Sequence, residues 1–189
     1  MNNIVVISGP SGSGKTTVAG KLKEKYSMIE FSVSHTTRKK RPEEKEGVDY
    51  YFVSEKKFRE MISDGKFVEW AKVFDCLYGT SVDEIKKKSS ERKVLLLDVD
   101  IQGASAIKKI FPEALLIFIE PPNYEKLKKR LINREKREDD DVRKRLEHSK
   151  MEMENSGFFD FHIINDKLKI ALEEIFKIFD SYLKKSGLV

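Results

Sequence analysis

The sequence predicts an α/β protein: a parallel sheet with helices packed on its faces. Three observations lead there. Ile4-Val5-Val6-Ile7, Val94-Leu95-Leu96-Leu97 and Ala114-Leu115-Leu116-Ile117-Phe118-Ile119 contain no polar residue, and apolar runs of that length are strands covered on both sides. Stretches with apolar residues three and four apart separate them, and strands alternating with helices make right-handed parallel crossovers. Between the first run and the first helical stretch lies Gly9-Pro10-Ser11-Gly12-Ser13-Gly14-Lys15-Thr16, which fits the pattern G-x-x-x-x-G-K-[ST] at every fixed position.

That segment has a chemistry of its own. Its glycines reach backbone conformations closed to other residues, so successive N–H groups can turn inward around an anion. The helix behind it, predicted over residues 17–26 with Val18, Leu22 and Tyr26 on one face, adds its dipole. Lys15 can reach terminal phosphates as a mobile point charge, and the Thr16 hydroxyl suits Mg²⁺, a hard cation that keeps several waters. The plain alternative is a glycine-rich turn before an ordinary helix. Phosphate binding requires in addition the strand in front and the amphipathic helix behind, and both are present.

Taken in order, Ile29, Phe31 and Val33 alternate with Glu30, Ser32 and Ser34, which predicts a half-buried strand. His35-Thr36-Thr37-Arg38-Lys39-Lys40-Arg41-Pro42 is polar and basic, either a solvated loop or a second anion site gripped by arginine forks. Tyr50-Tyr51-Phe52-Val53 reads as a short aromatic strand, and Ser54 as the cap of a helix that reaches Asp64 and stops at Gly65. Residues 67–74 read as a strand that places Glu69 between Phe67 and Ala71 on one face; the period leans toward an exposed carboxylate, with a ligand group in a pocket as the other reading. Tyr78-Gly79-Thr80-Ser81 reads as a turn, and Ser81 with Glu84 as a capping box for a helix toward Ser90.

Asp98 and Asp100 follow the second apolar run, at the strand edge where open α/β sheets hold ligands. An acid there either supports a metal's water shell or caps a helix. Residues 101–111 form a helix closed by Pro112, Pro121-Pro122 halts the third apolar run, and a basic helix runs from Tyr124 to Arg134. The stretch from Asn133 to Asp141 has no hydrophobic residue, so it is expected to be a mobile surface segment and a candidate lid. A helix resumes near Asp141 with Val142, Leu146 and Met153 as apolar contacts, and ends at Gly157. A last strand from Phe161 to Ile164 precedes a helix striped by Leu168, Leu172, Ile175, Phe179, Tyr182 and Leu183.

A chain of 189 residues supports one well-cored domain with small inserted lobes. Its 37 basic and 32 acidic residues are interleaved, so the net charge of +5 suits an anionic ligand without forming the basic block that nucleic acid favours. Cys76 is the only cysteine, which excludes an intramolecular disulfide framework and a cysteine zinc site and fits a reducing compartment. Met1-Asn2-Asn3 leads straight into a strand, with no basic flank or cleavage site, and no apolar run has membrane-spanning length. A soluble cytoplasmic protein is therefore expected, with no membrane or nucleic-acid partner and no obligate protein partner.

The segments so far, with Gly47-Val48-Asp49-Tyr50, Phe67 to Trp70, Leu97-Asp98-Val99-Asp100, Gln102-Gly103 and Asn165-Asp166, resemble the guanylate kinases from end to end in order and spacing. The resemblance implies a P-loop nucleoside monophosphate kinase-like fold in three parts: a core of residues 1–33, 82–124 and 142–189, a strand-rich GMP-binding lobe of 34–81, and a lid of 125–141. It implies ATP, with Mg²⁺, on Gly9, Pro10, Ser11, Gly12, Ser13, Gly14, Lys15, Thr16 and Thr17, and Asn165 beside the adenine. Arg38, Arg41, Tyr50 and Tyr78 match the holders of the GMP phosphate, while Ser34, Glu69, Thr80 and Asp100 match those around the guanosine. Asp98 matches a residue at the metal and phosphate end, reaching the metal through water as Thr16 reaches it directly. Lys15, Arg38, Arg134 and Arg145 are the implied catalytic set. Glu135-Lys136-Arg137-Glu138 stands where the family usually has a glycine and then a small polar and an acidic residue, which makes Arg137 a rival of Arg134.

Two other classes compete. Guanylate-kinase-like domains also serve as binding modules without catalysis, but here Gly9, Gly12, Gly14, Lys15 and Thr16 are all present. A nucleic-acid binder lacks an aromatic-interleaved basic groove and leaves Glu69, Asp98 and Asp100 unexplained. Phosphoryl transfer to an already anionic phosphate needs alignment and charge neutralisation rather than a general base, so His35, His148 and His162 are expected to be structural or surface residues.

Overall fold

The computed structural model describes residues 3–88, 92–135 and 140–189. Five strands, β1 (Asn3–Ser8), β2 (Ile29–Phe31), β7 (Val94–Asp98), β8 (Leu115–Glu120) and β9 (Phe161–Ile164), form one parallel sheet in the order β2-β7-β1-β8-β9. Alternation along the central strands sends side chains to two different layers. Val5, Ile7, Leu96, Ile117 and Ile119 pack under α1 (Lys15–Lys25) and α7 (Leu168–Lys185), whereas Ile4, Val6, Leu95, Leu97, Leu116 and Phe118 pack with α4 (Ile101–Ile110). Both faces are covered, which is why the central stretches Ile4–Ile7, Val94–Leu97 and Leu115–Ile119 carry no polar residue.

The second sheet has four strands in the order β4-β3-β6-β5, from β3 (His35–Thr36), β4 (Tyr51–Phe52), β5 (Phe67–Val73) and β6 (Cys76–Ser81). With α2 (Glu55–Ser63) it forms an insert that leaves the main sheet after β2 and returns through α3 (Val82–Lys88). Ser54 caps α2 by accepting from the Lys57 N–H, and Gly65 follows it at φ 63°. Two further helices, α5 (Tyr124–Glu135) and α6 (Asp140–Glu154), pack on each other through Leu127, Leu131, Val142 and Leu146, a small apolar cluster separate from the sheet layers. No helix among the described residues is long and apolar enough to cross a membrane.

Several expectations are corrected. The first helix begins at Lys15, two residues earlier than its apolar face suggests, because the loop's last glycine, Gly14, is its N-cap. The alternation after Ile29 breaks down: β2 ends at Phe31, and Ser32, Val33 and Ser34 are all buried where the insert departs. His35 and Thr36, read as the start of a polar loop, pair with both β4 and β6. Tyr78-Gly79-Thr80-Ser81 is strand and not turn, and the reversal lies at Phe74-Asp75, where Val73 pairs with Cys76. The capping box is half formed, since Ser81 accepts from the Glu84 N–H while the Glu84 carboxylate goes to the Val33 N–H and to Lys88. The candidate lid keeps helical backbone to Glu135 and from Asp140; residues 136–139, including Arg137, lie outside the described residues.

The C-terminal helix closes one layer by packing Phe179 on Tyr26, ring centres 4.7 Å apart, while the Tyr26 hydroxyl donates to Asp180. Phe179 is fully buried. Phe179→Ala is expected to lower unfolding free energy by about 3–5 kcal/mol, read from the urea midpoint at unchanged slope.

Candidate functional site

A cleft of about 1010 Å³ opens at the carboxyl edge of the main sheet, between the Gly9–Thr16 loop, the insert and helix α6. The loop is shaped by backbone that only glycine tolerates. Gly9 and Gly14 have φ of 140° and 101°, and a Cβ would fall 2.2 Å from the Ile119 carbonyl oxygen at the first and 2.3 Å from Asn165 Nδ2 at the second. Helix α1 starts with no side-chain cap and no acid in its first turn, so its leading N–H groups are left for an anion. Lys15 folds over its own loop, donating to the Gly9 carbonyl at 2.6 Å and the Pro10 carbonyl at 3.3 Å. Gly9, Ser11, Gly12, Gly14, Lys15, Thr16 and Thr17 line the cleft, whereas Pro10, Ser13 and Asn165 do not. Asn165 is buried behind the loop and donates to the Ser13 carbonyl, with Arg130 in turn donating to the Asn165 carbonyl.

The insert supplies the opposite end. Arg38 pairs with Glu44 at 2.6 Å and lies over the Tyr50 ring, whose neighbour across the sheet is Tyr78. Arg41 stands beside the same carboxylate, its backbone N–H donating to it. Burial first, then the nearby Asp98, pushes the Tyr50 phenol well above its usual range, so it remains a hydrogen-bond donor. Arg38, Arg41, Tyr50, Tyr78 and Ser34 all line the cleft.

Glu69 is the unusual group. Sequence period leaned toward exposure, but the carboxylate is only 6% exposed, because β5 carries a bulge between Phe67 and Glu69 and rests on helix α4. Its Oε1 accepts from the Thr80 N–H at 2.9 Å, and its Oε2 lies where a Cβ on Gly103 would stand 2.7 Å away. Burial raises its pKa to about 7, with Asp100 adding to the rise and Thr80 opposing it. The Thr80 hydroxyl and Asp100 Oδ2 are buried without a partner among the described residues, while Asp100 Oδ1 caps α4 through the Gly103 N–H. Thr80 itself does not line the cleft.

Asp98 and Thr16 both line the cleft, and burial raises the Asp98 pKa while the Lys15 ammonium opposes the rise. A hydroxyl and a carboxylate are hard oxygen donors that fit Mg²⁺. Among the described residues no three His, Cys, Asp or Glu side chains form a metal cage.

The third wall was legible in the sequence only at Arg145, which the family resemblance implies; His148, Ser149 and Glu152 were not singled out for it. Arg145, His148, Ser149 and Glu152 all face the cleft from α6, spaced three and four apart. The signal was a polar stripe at helical period, invisible to a search for apolar ones. His148, expected on the surface or in a structural role, is half-buried there, and its bond to Glu152 raises its pKa. Arg130 and Glu44 are also cleft residues that the spacing did not single out. The backbone of Arg134 lies in the last turn of α5.

A family model described as guanylate kinase matches residues 1–182. The chain is 43% identical over 173 residues to a guanylate kinase of Legionella pneumophila (strain Lens), which covers 92% of this chain and 83% of the relative. It is 38% identical over 175 residues to a guanylate kinase of Thermotoga maritima, covering 93% and 84% respectively. A crystal structure of guanylate kinase from Anaplasma phagocytophilum superposes with a TM-score of 0.76 at 34% identity, over 95% of this chain and 85% of that one.

The burial of Glu69 has a thermodynamic consequence. Its folded pKa of about 7 exceeds the ordinary 4.5, so the folded state holds the proton more tightly and this group costs stability as pH rises from about 4.5 through 7. Glu69→Gln is expected to stabilise the nucleotide-free protein by up to about 3 kcal/mol at pH 8, and by almost nothing near pH 4.5. Denaturant midpoints of both proteins across that range check it.

Proposed function

The chain belongs to the guanylate kinase family, and on that premise we propose that it transfers the γ-phosphoryl group of ATP to GMP, giving ADP and GDP. The observation that carries this reading is a single cleft with an uncapped phosphate-binding helix at one end and a buried carboxylate among arginines and tyrosines at the other. Two polyanions held from opposite ends, with water displaced from the gap, is the arrangement that in-line phosphoryl transfer requires.

In this reading the loop from Gly9 to Thr17 holds the ATP phosphates, and Asn165 keeps the loop in shape from behind, near the adenine. Lys15 leaves the Gly9 and Pro10 carbonyls to neutralise charge on the moving group. Arg38, Arg41, Tyr50 and Tyr78 take the GMP phosphate, whose own oxygen is the nucleophile, so no general base is needed. Arg145 and Arg134 reach the transferring group from α6 and α5, with Arg137 the rival of Arg134. Thr16 and Asp98 would hold Mg²⁺, which when bound offsets the negative charge of the phosphates. Residues 34–81 act as the GMP lobe, 125–141 as the lid and the remainder as the core, in a cytoplasmic enzyme.

Glu69 reads the base. Guanine offers N1–H and the exocyclic N2 amine side by side, and an ionised carboxylate accepts from both. Adenine has an acceptor at N1 and no amine at C2, so it leaves the carboxylate unpaired. Ser34, which lines the cleft, or Thr80 supplies a donor toward the guanine O6.

Coupled ADP-release assays with GMP, AMP, UMP and CMP test the reading, which fails if GMP is not the preferred acceptor. Lys15→Ala should keep the fold and lose at least about 3 kcal/mol of transition-state stabilisation; near-normal turnover would contradict its role. Glu69→Gln should cut the preference for GMP over AMP by about 10- to 100-fold while leaving the ATP KM unchanged. Because the ionised carboxylate binds guanine, wild-type kcat/KM for GMP should fall as pH drops below about 7, and Glu69→Gln should flatten that limb relative to wild type.

A further inference from the structure

We infer that Phe74, at the tip of the β5–β6 hairpin, is a positioning residue that holds Arg145 at the cleft; the inference rests on the phosphoryl-transfer reading. Phe74 and Asp75 form the two-residue connection between Val73 and Cys76. Such connections favour left-handed backbone, which Asn, Asp and Gly adopt with little strain. Phe74 nevertheless takes φ 55°, and it is the one non-glycine residue with positive φ among those described. A bulky ring at that position breaks the local preference, and departures of this kind concentrate where a side chain has work elsewhere.

The ring makes contacts outside its own sheet. Phe74 lines the cleft and lies 5.3 Å below the Arg145 guanidinium, with the His148 ring 5.0 Å away at 49°. Arg145 and His148 share one face of α6, so the hairpin tip of the insert touches the opposite wall of the cleft. The Phe74 face is a contact that orients the Arg145 guanidinium. The base of the same hairpin carries Glu69, packed against Gly103 of α4. One hairpin thus carries the base-reading carboxylate at one end and orients a phosphoryl-contacting arginine at the other.

The test separates the ring from the turn. Phe74→Asn suits the turn, so the thermal midpoint should stay within a few degrees of wild type. Its kcat should fall about three- to tenfold, with the KM for GMP within twofold, because Arg38 and Arg41 are untouched. Phe74→Tyr should restore most of the loss, and adding Phe74→Asn to Arg145→Ala should change kcat no further. A wild-type kcat for Phe74→Asn, an equal loss in Phe74→Tyr, a change confined to KM, or full additivity with Arg145→Ala would each overturn the inference. Failure of the underlying reading is distinguishable, since the wild-type protein itself would then show no GMP-dependent ADP release.

Discussion

Everything at the cleft depends on the register of three parallel strands. Ile7 of β1 pairs with Asp98 of β7, and Ser8 pairs with Phe118 of β8, so the strands end at nearly one level. At that edge β1 hands over to the glycine loop and β7 delivers Asp98 and Asp100. The β8 carbonyl of Ile119 crowds Gly9 closely enough to exclude any side chain there. Parallel strands need both faces covered, so the apolar layers that hold the register also commit the helices to the faces and leave the strand ends as the place for polar chemistry.

The insert is tied to that frame at its root. Glu84, almost fully buried, accepts from the Val33 N–H on the outgoing chain and pairs with Lys88, which itself donates to the Phe31 carbonyl. Both crossings of the insert are thereby held by one carboxylate and one ammonium. Farther out, β5 rests on α4, and that contact keeps the Glu69 carboxylate away from water. Keeping an acid half-protonated near neutrality opposes the stability of the empty protein, and a ligand with two adjacent donors recovers that cost on binding. On the proposed reading the site is thus least comfortable at the carboxylate that reads the base, as preorganised sites commonly are.

The legible part of the chain was the part governed by local rules. Apolar runs without a polar residue announced the buried strands, G-x-x-x-x-G-K-[ST] announced an anion-binding turn, and Ser54 and Gly65 bounded α2, because backbone sterics, capping and burial act within a few residues. The resemblance to a family, carried by the order and spacing of those segments, extended the reading to the candidate site. Ser34, Arg38, Arg41, Tyr50, Glu69, Tyr78, Asp98, Asp100 and Arg145 do come together on one cleft.

What the sequence by itself determined was therefore the parallel core, the phosphate-binding loop and the chemical type of the residues gathered there. Tertiary structure alone decided the rest. Whether Glu69 faced water depended on a bulge and on a helix more than thirty residues away, which no two-residue period encodes. His35-Thr36 and Tyr78-Gly79 became strands through their pairing with each other, and Thr80-Ser81 through pairing with Glu69 and Phe67, non-local bonds that outweighed weak local preference. The polar stripe of Arg145, His148, Ser149 and Glu152 resembles any solvated helix face until the insert arrives opposite it. Only the folded chain brings Phe74 across to that stripe, because the contact joins a hairpin of the insert to a helix far along the chain.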